Sequence, residues 1–228
     1  MLKTIKVYYK ELLSQTLFLL LLFVGIDALY AVLHVAHMAG YVFLDEFLVN
    51  TERGYAEVYQ YTKEFFCAYL LLYGAIQYKS IQRLAWGLLF LYFFFDDSVQ
   101  IHENTDKWFG EFINIPAVGS LPKEGVWQLL TGFFLLGVAS LMIWLSTKYK
   151  ESRSFKPQSM ALILCVLGLG GFAVVFDAIH ALFKGDGQLD SLLALIEDAG
   201  EMACVSLSLW VIFTDIIEQR FGIIKKAP

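Results

Sequence analysis

Six apolar runs limit what this chain can become. They are Leu12–Met38, Thr62–Tyr78, Ile81–Glu103, Val126–Ser146, Ser159–Phe183 and Leu189–Ile217. A helix needs about 20 mostly apolar residues to cross the hydrocarbon of a bilayer, and five of the runs reach that length outright. The second is the shortest, and its helix is expected to start earlier, around Thr51. Hydrophobic residues make up 58% of the chain, whereas soluble domains lie nearer 45–50%. The expected fold is therefore all-α. It is a polytopic membrane bundle of six transmembrane helices, one domain over residues 1–228, with the lipid bilayer as its solvent.

Positive residues orient the bundle. Lys3, Lys6 and Lys10 precede the first run. Lys79 and Arg83 lie at the turn into the third, and Lys148, Lys150, Arg153 and Lys156 at the turn into the fifth. Arg220, Lys225 and Lys226 close the chain. These are most of the 17 Lys and Arg residues, and they fall on one face. Both termini are expected in the cytoplasm, with Ala39–Tyr61 and Asn104–Gly125 facing outward. The second of these, with Trp108, Pro116 and Pro122, reads as an irregular or partly helical cap. No cleavable signal peptide is expected, because Leu12–His37 is too long for one. The net charge of −5 comes without the basic stripe that a phosphate backbone requires, so no nucleic-acid partner is expected. Cys67, Cys165 and Cys204 all sit in apolar runs and read as small buried hydrophobes. Gly168, Gly170 and Gly171 read as a close helix-packing patch.

The ionisable residues inside these runs are the chemical signal. A carboxylate in a span costs about 2.5–3.5 kcal/mol on insertion scales, so it is kept where it meets a partner inside the bundle. Residues three, four or seven apart share a helix face. Asp27, Tyr30, His34 and His37 make one such stripe, and Glu57, Tyr61 and Glu64 another. Asp96 and Glu103 are seven apart, flanked by Asp97 and His102. Asp177 and His180 are three apart, and Glu197 and Glu201 four apart, with Asp198 beside them. Given the alternating direction of the runs, all of these fall in the outer half of the bilayer, with Asp27 deepest. The fourth run carries no such residue and is expected at the periphery.

Acids far outnumber bases at this level, where only Lys63 and Lys184 bring positive charge. Uncompensated carboxylates must protonate or neutralise a cation. Carboxylate with imidazole suits zinc, iron or manganese. The sequence thus points to a divalent transition metal, zinc or iron and by its number of acids a dinuclear site. His102, Glu103, His180, Glu197, Glu201 and His34 are the expected ligands. Asp96 and Asp177 are the expected catalytic pair, as general base or further ligand. Asp97 and Asp198 would orient a histidine. Asp45, Glu46, Asp106, Glu111, Asp186 and Asp190 read as ordinary loop charges.

Two resemblances follow from these residues. Asp96-Asp97-x4-His102-Glu103 and Glu197-Asp198-x2-Glu201-Met202 resemble a pattern in uncharacterised bacterial multi-pass membrane proteins, which implies a bacterial plasma-membrane location. Ser98-x3-His102 is similar to the Ser-x3-His of the CREST membrane metallohydrolases, which include alkaline ceramidases. That resemblance implies zinc hydrolysis of a lipid, although the last run here has Glu197-x3-Glu201 where those proteins have His-x3-His. The expected function is a membrane-embedded metalloenzyme, a hydrolase or di-metal oxidase, acting on a lipid or lipophilic substrate. The alternative is a transporter or channel for protons or a divalent cation, with Asp27 as its deepest station.

Overall fold

The computed structural model describes residues 2–110, 113, 115–116, 123–148, 155–176, 179–180, 183, 185 and 187–220. Among them are seven α-helices and no strand. The helices are α1 (Leu2–Met38), α2 (Tyr55–Tyr78), α3 (Ile81–Val99), α4 (Ile101–Phe109), α5 (Lys123–Ser146), α6 (Lys156–Gly170) and α7 (Gln188–Arg220). A 3₁₀ turn occupies Asp45–Phe47, and a π-helical stretch, Gly171–Phe176, continues α6. Three segments are long and apolar enough to cross a membrane: Thr16–Met38, Lys156–Ala173 and Gln188–Arg220. A shorter apolar stretch, Leu130–Ser146, lies in α5. Helices α2 and α3 stand outside that group, α2 carrying Glu57, Lys63 and Glu64, and α3 carrying Arg83, Asp96 and Asp97.

The chain packs as two compact units. One comprises Met1–Phe66 and Phe155–Pro228, the other Cys67–Ser154, with the boundary inside α2.

In the first unit α7 packs along α1, α6 and the π-helical stretch. Small residues permit the close approach. A Cβ on Gly200 would lie 2.3 Å from the Phe172 ring, which itself stacks on Phe176 at 5.1 Å. A Cβ on Gly168 would lie 3.0 Å from Cys204 Sγ. The expected glycine patch is thus one residue wide, because Gly170 and Gly171 have no described atom within 4 Å of a built Cβ. Helix α2 starts where Gly54 lets the chain turn against the Thr51 carbonyl, and Glu57 in its first turn accepts the Arg53 N–H. That capping contact accounts for Glu57 without any chemistry. All three cysteines are free thiols.

In the second unit α3 and α5 pack together, and both touch α4. Ser80 caps α3 by accepting the Arg83 N–H at 3.3 Å. Gly87 sits so close to Leu72 that a Cβ would come within 2.9 Å of it, which draws the end of α2 against α3. Trp86, Phe90 and Phe93 form a ladder of rings beside that contact.

The third apolar run is not one helix. Gln100 takes a left-handed conformation (φ 56°, ψ 50°) and its N–H closes on the Asp96 carbonyl, ending α3. Two residues earlier the Ser98 hydroxyl donates to the Phe94 carbonyl at 2.5 Å, a back-bond that competes with the helix ladder. The chain restarts as α4. Asp96 and Glu103 therefore do not share the helix face that their seven-residue spacing predicts. Ser98 and His102, likewise, stand on different helices.

Candidate functional site

Polar groups of the first unit form a column along the length of α7, on two of its faces: Asp190, Glu197 and Glu201 share one, and Ser191, Ser206 and the Met202 carbonyl lie toward another. In order they are Asp190, Ser191, Glu197, Glu201 and Ser206, with the Met202 carbonyl between the last two. At a rise of 1.5 Å per residue this column runs about 24 Å.

Its deep end joins three helices. Lys63 Nζ from α2 donates to Asp27 Oδ1 on α1 at 2.7 Å, and to the Met202 carbonyl and Ser206 Oγ on α7, both at 2.9 Å. The Ser206 hydroxyl donates in turn to Asp27 Oδ2 at 2.6 Å. Three ammonium protons thus have three acceptors, and both carboxylate oxygens have a donor. The Tyr59 ring lies 4.4 Å from Lys63 Nζ, and its hydroxyl donates to the Phe23 carbonyl at 3.3 Å. Asp27, Lys63 and Ser206 are all buried. A turn nearer the column's other end, Gln60 Nε2 donates to Glu201 Oε2 at 3.3 Å. Val49, Ala56 and Met202 pack over this level with Tyr30, Tyr59 and Leu195 around them.

Two histidines occupy the other end. His34 is completely buried. Val49 N–H donates to its Nδ1 at 3.3 Å, and its Nε2 lies 2.9 Å from Ser191 Oγ and 3.2 Å from the Ser191 carbonyl. A backbone N–H can only donate, so Nδ1 is bare and the proton sits on Nε2. His180 is held between two acids, with Nδ1 2.9 Å from Glu197 Oε2 and Nε2 2.6 Å from Asp190 Oδ1. Asp190 Oδ2 also accepts the Gly185 N–H at 3.1 Å. His180 lies beyond the Lys156–Ala173 span. Partial burial pulls its pKa down, but the hydrogen bonds to Asp190 and Glu197 and the charges of both acids outweigh it and raise it above the ordinary imidazole value.

The expected site residues therefore divide. His180 and Glu197 touch, and Glu201 follows one turn along α7, engaged by Gln60. His34, expected as a metal ligand, is a hydrogen-bonded strut instead, because both its ring nitrogens are engaged. Asp96 accepts the Tyr92 hydroxyl, and His102 and Glu103 lie on α4. These three belong to the second unit, whereas His34, His180, Glu197 and Glu201 belong to the first. Asp177 lies outside the described residues. Among the described residues, no group of three or more His, Cys, Asp or Glu side chains is placed to hold a metal ion.

Sequence reasoning passed over Lys63 as a nearby charge and Asp190 as a loop acid, and it named neither Ser206 nor Gln60. A signal existed for Lys63. A lysine between apolar turns needs an acid at matching depth, and Asp27 is the one acid in Thr16–Met38. For Asp190 there was none, since an acid in the first turn of a helix is already explained by the helix dipole.

A family model for a domain of unknown function, DUF8692, matches residues 66–216, more than half of the chain. The chain belongs to that family. The DUF8692 match takes in His180, Glu197, Glu201 and Ser206, while Asp27, His34 and Lys63 precede it. No curated protein and no solved structure matches the chain.

Proposed function

We propose that this chain is an integral protein of a bacterial plasma membrane, with six crossing segments and both termini in the cytoplasm, that passes protons along the polar column beside α7. The three long apolar helices support the membrane setting, and the one-sided distribution of Lys and Arg supports the orientation.

The observation that carries the reading is the Asp27–Lys63–Ser206 cluster. It puts a carboxylate and a hydroxyl from two candidate spans in continuous hydrogen-bond contact with an ammonium from α2. Such groups inside spans mark proton and ion paths. An unbalanced carboxylate would call for a metal cation, whereas Lys63 balances Asp27. Protonating Asp27 cancels its attraction for Lys63, so uptake and release of one proton alternately loosens and restores the contacts among α1, α2 and α7. Reconstitution into proteoliposomes under a pH gradient tests this. Wild-type protein is expected to dissipate the gradient and Asp27→Asn to abolish the flux. Equal flux from both overturns the reading.

A second reading keeps the divalent metal, zinc or iron, and a hydrolytic or oxidative enzyme acting on a lipophilic substrate. It is favoured by the contact between His180 and Glu197 with Glu201 one turn away, a set to which zinc or iron is suited. Bound there, the metal would supply a water of lowered pKa. Metal analysis of the purified protein is the test, and the lack of a stoichiometric transition metal counts against it.

A further inference from the structure

The segment between α1 and α2 is tied to the helices around the buried ion pair through a titratable side chain, His34. Val49 lies in that segment. Its side chain packs on Met202 and Ala56 beside Tyr59. Met202 supplies one carbonyl to Lys63, and the Tyr59 ring covers the same ammonium. Val49 therefore joins this segment, the lid, to two residues that contact Lys63. Its backbone N–H is satisfied by His34 Nδ1, and the far side of the same imidazole is tied to Ser191 on α7.

We propose that His34 is a proton-operated latch on this lid. Only the neutral, Nε2-protonated ring can accept from Val49. A second proton on Nδ1 sets N–H against N–H, leaves the Val49 donor unsatisfied in a buried place, and puts charge on a ring with no acid bonded to it. The neighbouring groups do not replace the lost bond. His37, three residues further along α1, adds positive charge, and it faces Asp45 of the lid at 3.7 Å. Tyr30 on α1 packs against Tyr59 of α2 at 5.9 Å. On α7 Ser191 contributes a hydroxyl and a carbonyl, while Asp190 beside it bonds to His180. Acid on the lid side thus releases Val49 and loosens its packing on the residues that contact Lys63. The purpose of the latch, gating the column, rests on the proton-path reading; the latch itself stands on the hydrogen bonds of His34.

Hydrogen exchange at the Val49 amide, in full-length protein in micelles and corrected for the intrinsic rate at each pH, tests it without any flux measurement. As the pH is lowered from about 8 to about 4, through and below the range where an ordinary imidazole titrates, wild-type protection is expected to fall about tenfold or more as the bond is lost. His34→Asn puts a non-titrating carbonyl oxygen near the place of Nδ1, and its protection is expected to stay flat across that range. His34→Ala is expected to give low protection throughout. A flat wild-type profile overturns the proposal, as does a His34→Asn profile that falls like wild type. Persistent flux in Asp27→Asn with the Val49 profile as expected removes the proton path and leaves the latch.

Discussion

The two ends of the column use the same ingredients under different conditions. At the deep end the side chains of Lys63 and Asp27 are only 2% and 6% exposed. At the other end His180, Asp190 and Glu197 are 19%, 32% and 16% exposed. The second cluster is open to its surroundings, which leaves its charges better screened than those at the first and its ion pairs worth less. At the first cluster nothing replaces a lost partner, and the same loss leaves a bare charge in a dry place. Number of contacts does not separate the two ends, since both are fully engaged. Exposure does.

The largest expected effect follows directly. Lys63→Met strands Asp27 and should destabilise the protein by about 3–5 kcal/mol, read as denaturant unfolding in detergent. A loss no larger than that of a His180 variant would erase the distinction between the two ends. Combining Lys63→Met with Asp27→Leu removes both charges and should return most of that stability. A double variant as weak as the single one means that packing, and not the pair, holds α1 to α2. Ser206→Ala is expected to cost about 1–3 kcal/mol, because it removes a donor to Asp27 and an acceptor for Lys63, and the same unfolding curves measure it. His180→Gln should cost about 0–1 kcal/mol, less at high salt. The smallest effect is on pH dependence, in metal-stripped protein. The pKa of His180 is raised in the fold, so its ion pairs stabilise fully below the ordinary imidazole value and are lost as pH rises through the raised one. The difference in stability between wild type and His180→Gln should therefore shrink toward alkaline pH, and a difference that grows contradicts the assigned contacts.

Much of the helical pattern was legible in the sequence because it rests on local composition. The apolar runs predict helices over the stretches that α1, α2, α5, α6 and α7 occupy, and the early start of α2 follows from Gly54 and the cap at Glu57. The failure at Gln100 is also local in origin but invisible to hydropathy. The run from Ile81 into Glu103 stays apolar enough to suggest continuity, while Ser98 and the left-handed Gln100 divert its hydrogen bonds. The candidate site was less legible. Helical spacing grouped Asp27 with His34 and Glu197 with Glu201, yet members of each group turn to different partners. Asp27 meets Lys63 and His34 meets Val49, while Glu197 meets His180 and Glu201 meets Gln60.

What the chain fixed on its own is where helices form and which of their turns carry charge, since these depend on neighbours within about one helical turn. Which charge answers which was decided only in three dimensions. Asp27 and Lys63 are 36 positions apart, and Lys63 and Ser206 are 143 apart. Hydrogen bonds are short and directional, and no periodicity within one helix can say which side chain of another helix will lie within 3 Å.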